Sequence, residues 1–152
     1  MARSPVPFRP KPGRGKPPST PASDVLRHTY HSDLSRVRAL VFQQATAVGL
    51  AVSRANDLVL AVSEAAANTL RHTASSGTLA IWHDTEQIVC EIHDGGRIAD
   101  PLAGTRRPPP DATGGHGLWL IRQVCDLVEL TSDGRGTTVR MHMALRPPAA
   151  VG

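Results

Sequence analysis

The sequence predicts an α+β fold, a two-layer sandwich in which helices cover one face of a mostly antiparallel, mixed sheet. Two helix-like patterns follow each other near the start of the chain. Two pairs of strand-like segments come later, each pair joined by a short turn, and a long aperiodic segment separates the pairs. The 152 residues, 40% of them apolar, suffice for one domain with its own core.

The first half of the chain predicts one strand and two helices. Residues 24–31 alternate apolar and polar side chains, which favours a strand. Ser32 or Asp33 would then cap a helix that stops at Gly49. A second helix, with a wide apolar stripe, is expected from about Ser53 to His72.

A hairpin and a long loop follow. Residues 78–83 and 87–93 form strand-like segments, and the short stretch Asp84-Thr85-Glu86 between them predicts an antiparallel turn. Residues 94–116 lack periodicity and contain four prolines and five glycines. A structureless loop of that length in a small domain is usually functional or disordered.

The last third of the chain predicts a helix over 117–126, a strand over 127–132 and a final strand over 137–145. The turn Asp133-Gly134-Arg135-Gly136 joins the two strands. The predicted order is therefore β-α-α-β-β-loop-α-β-β, without internal repeats.

The basic charge is concentrated outside the predicted domain. Residues 1–22 contain five basic side chains and no acid, so a total of +4 leaves −1 for residues 23–152. Together with seven prolines, this predicts a disordered basic tail over 1–23, a domain over 24–146 and a short tail over 147–152. A near-neutral domain without a recognition-helix pattern argues against direct nucleic-acid binding.

The remaining composition favours a cytoplasmic protein. Cys90 and Cys125 have neither CxxC nor zinc-finger spacing, which predicts reduced thiols. The basic start of the chain lacks the apolar region of a signal peptide, and no apolar run approaches a membrane span.

Three polar residues of the second helix are candidates for a site. Glu64, Asn68 and His72 recur every four residues and so lie along one side of the helix. An amide oxygen suits a metal-bound phosphate, and a carboxylate one turn away can accept a proton. The same spacing is also typical of a solvent-exposed helix face, so both interpretations stay open at this point.

Glycine-rich segments supply the other candidates. Asp94 and Gly96 follow a predicted central strand, where a carboxylate can serve a ligand at the sheet edge. The segment Gly115-His116-Gly117-Leu118 leads into a helix whose first N–H groups favour anions, so it could approach a phosphate. Thr137, after the Gly134–Gly136 turn, could face the same ligand.

The order and spacing of these segments resemble the Bergerat-fold (GHKL, histidine-kinase-like) ATPase superfamily over roughly residues 24–145. The segments SEAAANTLRH, DGGRIADPLAG and GGHGLWLIRQVCD are most similar to the anti-sigma-factor serine/threonine kinases of bacteria. Two positions depart from the wider superfamily pattern, where glycine is usual: Ile98 and Trp119. A large residue at the second position also resembles the anti-sigma branch.

The resemblance implies a role for each candidate residue. Asn68 would hold Mg²⁺ and Glu64 would act as the base. Asp94 would bind the adenine amino group with room from Gly96, and Thr137 would support the adenine side. The remaining nucleotide contacts would come from His72, Gly115, His116, Gly117 and Leu118. The implied cofactors are ATP and Mg²⁺.

The resemblance also implies an activity and partners, with alternatives. The chain would be a kinase that phosphorylates a STAS-type anti-anti-sigma protein and binds a sigma factor, with no membrane association; a homodimer is left open. A non-catalytic, nucleotide-gated partner switch is the alternative, although Glu64 favours the kinase. A sensor histidine kinase fragment is disfavoured, because the roughly 23 residues ahead of the domain are too few for a dimerising helical hairpin.

Overall fold

The computed structural model describes residues 24–73, 76–95 and 116–146. Within these residues it has five strands and three helices in the predicted order, so the predicted α+β fold is confirmed. The elements are β1 (Leu26–Tyr30), α1 (Ser35–Ala47), α2 (Val52–Thr73), β2 (Gly77–His83), β3 (Gln87–Asp94), α3 (His116–Val124), β4 (Leu127–Asp133) and β5 (Gly136–Ala144).

The strands form one sheet in the order β1-β2-β3-β5-β4. Each of the four described strand pairings is antiparallel, so the mixed character expected from the sequence is not found among these strands. Alternate residues of β2, β3 and β5 enter the core shared with α1 and α2 because side chains alternate between the faces of a strand. Leu79, Ile92 and Met141 are fully buried members of this core.

Helix α1 begins and ends through local hydrogen bonds. It begins at Ser35, with Leu34 rather than Ser32 or Asp33 at the cap position. Asp33 still contributes, because its Oδ1 accepts the backbone N–H of Ser35 at 2.9 Å. At the other end Gly49, with φ +94°, lets Leu50 donate to the carbonyl of Ala45. This Schellman-type end confirms the stop predicted at Gly49.

Helix α2 is the longest described helix and joins the sheet at its N-terminal end. A guanidinium nitrogen of Arg54 lies 2.5 Å from Asp126 Oδ2, and the same carboxylate oxygen accepts the backbone N–H of Ala144 at 2.7 Å. The Asp126 side chain thus joins α2, the start of β4 and the end of β5. None of the helices in the described part of the chain is long and apolar enough to cross a bilayer.

The predicted hairpin over 78–83 and 87–93 is confirmed, with Thr78 opposite His93 and His83 opposite Ile88. Asp84 stabilises its turn, because Oδ1 accepts the backbone N–H groups of Glu86 and Gln87 at 2.7 and 2.9 Å. Aspartate commonly closes turns in this way.

The end of the chain departs slightly from the prediction. Helix α3 begins at His116, one residue before the predicted start at 117, and Gly117 lies in its first turn. It ends at Val124, because the N–H of Asp126 bonds to the carbonyl of His142 and thereby joins the sheet. The predicted tails over 1–23 and 147–152 and the loop up to residue 115 lie largely outside the described residues and stay predictions.

Cys90 and Cys125 are free cysteines, as expected from their spacing, and the structure shows that both are buried. Burial raises the pKa of the Cys125 thiol to about 12, and the pKa of Cys90 is raised for the same reason. Both side chains therefore act as small apolar core residues at neutral pH.

Candidate functional site

The candidate site lies along one side of α2, where the helix meets α3 and the end of β3. Glu64 and Asn68 are half-buried and one helical turn apart. Across from them is Gly117, in the first turn of α3. The structure thus brings Gly117 together with Glu64 and Asn68, which the sequence singled out in a different segment.

Gly117 is needed for this approach. A Cβ atom at this position would lie 3.1 Å from Glu64 Oε2 and 3.3 Å from Asn68 Nδ2. These distances are shorter than ordinary van der Waals contacts. The absence of a side chain at 117 therefore lets the N-terminal end of α3, with its partial positive charge, come next to a carboxylate and an amide.

Asp94 and Thr137 are the second group of predicted residues that the structure brings together. They lie directly opposite each other in the β3–β5 pairing. Thr137 is buried, and its hydroxyl oxygen is 3.1 Å from Ser132 Oγ. Gly136, directly before Thr137, packs closely against the backbone of Asp94, because a Cβ at Gly136 would collide with the carbonyl oxygen of Asp94. Gly136 also has φ +122°, which glycine adopts without strain.

Thr69 belongs to this second group and was missed by the sequence analysis. Its hydroxyl is 2.8 Å from Asp94 Oδ2 and donates a hydrogen bond to it, and the residue is 2% exposed. A single threonine among the apolar residues of α2 carries no signal of its own. The available hint was that Thr69 directly follows Asn68, because consecutive residues of a helix point to neighbouring sides of it.

Tyr30, at the end of β1, lies beside Thr69 and was also missed. Its hydroxyl is buried, has no hydrogen-bond partner among the described residues, and faces Gly77, where any side chain would collide with it. Burial raises the pKa of Tyr30, the Thr69 hydroxyl opposes that shift, and the charge of Asp94 adds to it. Tyr30 therefore stays protonated at neutral pH.

The other predicted site residues are less fully described. Gly96 and Gly115 lie outside the described residues, as do the side chains of His72 and His116. Leu118 is half-buried and packs against the core, so only its backbone is suited to a ligand.

The residues beside Gly117 match what a magnesium–phosphate group requires of a protein. Within 24–73, 76–95 and 116–146 there is no group of three or more His, Cys, Asp or Glu side chains that could hold a metal ion. Mg²⁺ usually takes one or two protein oxygens and fills its other positions with phosphate oxygens and water. The single amide oxygen of Asn68, beside the end of α3, matches that requirement.

The opposite sheet face carries a separate polar group. Met141 and Met143 enter the core, so His142 between them points to the other face. It is fully buried, with Nε2 2.6 Å from Glu129 Oε1 and Nδ1 3.2 Å from Gln87 Oε1. Burial lowers the pKa of His142, whereas the hydrogen bond to Glu129 raises it. This group does not contact the candidate site.

Comparison with known proteins supplies a family. A family model described as a histidine kinase-like ATPase domain matches residues 29–143, which is more than half of the chain and runs from within β1 to within β5. No curated protein matches the chain.

Proposed function

The chain belongs to the histidine kinase-like ATPase domain family, and on that premise we propose that it binds Mg²⁺-ATP and phosphorylates a protein serine or threonine. The acceptor we propose is a STAS-type antagonist, and in its absence the chain binds a sigma factor as an anti-sigma factor. The observation that carries the proposal is the approach of Gly117 to Glu64 and Asn68.

Glu64 and Asn68 have different roles in the proposed reaction. ATP with Mg²⁺ supplies the phosphoryl group and offsets the charge on it. Asn68 provides an oxygen ligand for the metal, and the first turn of α3 favours the negative phosphates. Glu64, one turn from Asn68, accepts the proton of the incoming serine or threonine hydroxyl.

The other end of the nucleotide belongs to the residues at the end of β3 in this proposal. Asp94 accepts a hydrogen bond from the adenine amino group, and Thr137 lies beside it in the sheet. Gly96 gives room for the ring. Gly115 and the backbone of His116 and Leu118 contact the phosphates. His72, at the C-terminal end of α2, also contacts the nucleotide in this proposal.

We expect Glu64→Ala to abolish phosphoryl transfer while largely sparing ATP binding, because the base contacts neither adenine nor the metal. A general base typically contributes about 10²–10⁴-fold in rate. Asn68→Ala should weaken Mg²⁺-dependent ATP binding and lose transfer as a consequence. Calorimetry with ATP, with and without Mg²⁺, measures binding. Transfer of radiolabel from ATP to a STAS-type antagonist encoded beside the chain's gene measures the reaction.

Asp57→Ala is the matched control, since Asp57 is an exposed acid on the same helix. It should change neither binding nor transfer. If the parent binds no ATP at millimolar concentration, the whole proposal is wrong. If it binds ATP but labels no antagonist, the nucleotide-gated partner switch replaces the kinase. If Glu64→Ala labels at the parent rate, Glu64 is only part of a polar helix face.

A further inference from the structure

The carboxylate of Asp94 is held from one side by the hydroxyl of Thr69. Thr69 Oγ1 lies 2.8 Å from Asp94 Oδ2, joining α2 to the end of β3. A threonine hydroxyl has one proton to donate, and a carboxylate can only accept. The hydrogen bond therefore has a single direction, and it occupies one of the two oxygens of Asp94.

The surroundings of Thr69 keep this hydrogen bond in place. Thr69 and Tyr30 are each 2% exposed, so water does not compete at that side of the carboxylate. The Tyr30 hydroxyl is buried beside Thr69, and Gly77 leaves just enough room for it. Hydrogen bonds to charged groups are stronger than neutral ones, and shielding from water strengthens them further.

We propose that Thr69 is a positioning residue that orients Asp94, so that the second carboxylate oxygen accepts a hydrogen bond from the 6-amino group of an adenine nucleotide. The inference rests on the proposed function, because it assumes that Asp94 contacts the base. It goes further by assigning base selectivity to a hydroxyl that does not touch the nucleotide. Since Thr69 directly follows Asn68, one helix then sets both the metal end and the base end of the ligand.

The test compares two nucleotides that differ only at the amino group. Purine riboside triphosphate carries hydrogen where ATP carries the 6-amino group, so it cannot use the proposed contact with Asp94. Calorimetry in Mg²⁺ gives the dissociation constants of both for the parent, Thr69→Val and Thr69→Ser. We expect Thr69→Val to weaken ATP binding about tenfold. Binding of purine riboside triphosphate should stay unchanged, and Thr69→Ser should keep the affinity of the parent for ATP.

Controls separate positioning from a general structural effect. Besides Asp94, Thr69 Oγ1 has a second, longer contact of 3.3 Å with the carbonyl of Ala65, four residues earlier in its helix. Thr46→Val removes a hydroxyl with the same kind of helix contact, to the carbonyl of Phe42, but in α1 away from the site, and it should change neither constant. In an Asp94→Asn background, Thr69→Val should have no further effect on ATP binding. If thermal unfolding shows that Thr69→Val does not fold, Thr69→Ala, which is smaller than the native residue, replaces it with the same expectations.

The outcomes also distinguish this inference from the proposed function. Equal loss for both nucleotides, or no loss for ATP, overturns the role of Thr69 while the parent's binding of ATP stands. A parent that binds neither nucleotide overturns the proposed function and this inference with it. A loss confined to ATP, restored by serine, supports the inference, since a purely structural role would not depend on the amino group.

Discussion

Gly117 has only a hydrogen atom where every other amino acid has a Cβ atom, and this allows α3 to come close to Glu64 and Asn68 of α2. A methyl group there would meet Glu64 Oε2 at 3.1 Å and the Asn68 amide at 3.3 Å. Both atoms belong to flexible side chains, which can give way. The cost of a side chain at 117 therefore falls on the geometry of the site rather than on the core.

We expect Gly117→Ala to weaken Mg²⁺-ATP binding roughly tenfold while leaving thermal stability equal or higher. Alanine is favoured over glycine in a helix by about 1 kcal/mol, which offsets the tight contact. Displacing Asn68 and Glu64 by a few tenths of an ångström disturbs metal and phosphate positions, to which such sites are sensitive. Calorimetry and thermal unfolding give the two values. Unchanged affinity would contradict the importance of this approach.

The site could be predicted from the sequence only where one element carries its own signal. Glu64 and Asn68 repeat along one helix, and Asp94 ends a clear strand, so their residue types and spacing selected them as candidates, to which the family resemblance then assigned roles. Thr69 was missed because its importance comes from Asp94, which is distant in sequence and becomes a neighbour only through the packing of α2 on β3. Tyr30 was missed for the same reason.

Helices and strands in this chain end where short-range chemistry stops them. Gly49 ends α1 and Gly136 begins β5, each with a positive φ. The stop at Gly49 was predictable because glycine after an apolar helical pattern is a local signal. Helix α3 was predicted over 117–126 but spans His116–Val124, because its last residues are replaced by the sheet contact of Asp126, which is not a local signal. Gly136 was predicted as part of a turn, but its contact with Asp94 was not.

The two glycines provide a matched pair of substitutions. A Cβ at Gly49 would have no neighbour within 4 Å, so Gly49→Ala should cost only the left-handed backbone, about 1 kcal/mol. Gly136→Ala adds a collision with the backbone of Asp94, and we expect it to cost at least about 2 kcal/mol more. Urea unfolding of both variants measures the free energies. Equal costs would show that the approach to Asp94 is relaxed in solution.

Across the whole described domain, the two sheet faces have different chemistry. One face packs against α1 and α2 and carries the candidate site at its end. The other buries His142 between Glu129 and Gln87, while Arg140 pairs with Glu91 and lies over the ring of Trp82. The fold class and element order followed from periodicity and turns. The burial of His142 with Glu129 and Gln87 could not be predicted, because the alternation in β5 shows which residues share a face of the sheet but not what covers that face.

The buried histidine makes the stability of the fold depend on pH. Burial lowers the pKa of His142 from its ordinary value of 6.5; Arg140 acts in the same direction, and Glu129 and Asp84 oppose it. As the pH falls below about 6.5, the unfolded chain takes up a proton that the folded chain resists, so stability falls. Above that pH the full contribution is present. We expect His142→Gln to reduce this loss, measured as free energies of unfolding between pH 7.5 and about 5.

His31→Gln is the control for the pH experiment, because His31 is exposed. It should leave the difference between the two ends of the pH range as in the parent. Carboxylates contribute to the loss of stability at low pH in every variant. The pH dependence of each variant is therefore compared with that of the parent, and not with a pH-independent stability. A parent-like slope in His142→Gln would show that the histidine does not carry the effect.

The contact between Gly136 and the Asp94 carbonyl has a consequence for how the sequence can diverge. A side chain at 136 requires the end of β3 to move, and that movement would carry the Asp94 carboxylate away from the Thr69 hydroxyl. Positions 69, 94 and 136, which are far apart in the sequence, are therefore structurally coupled. Among descendants that keep the same ligand, we expect them to stay fixed together or to change together.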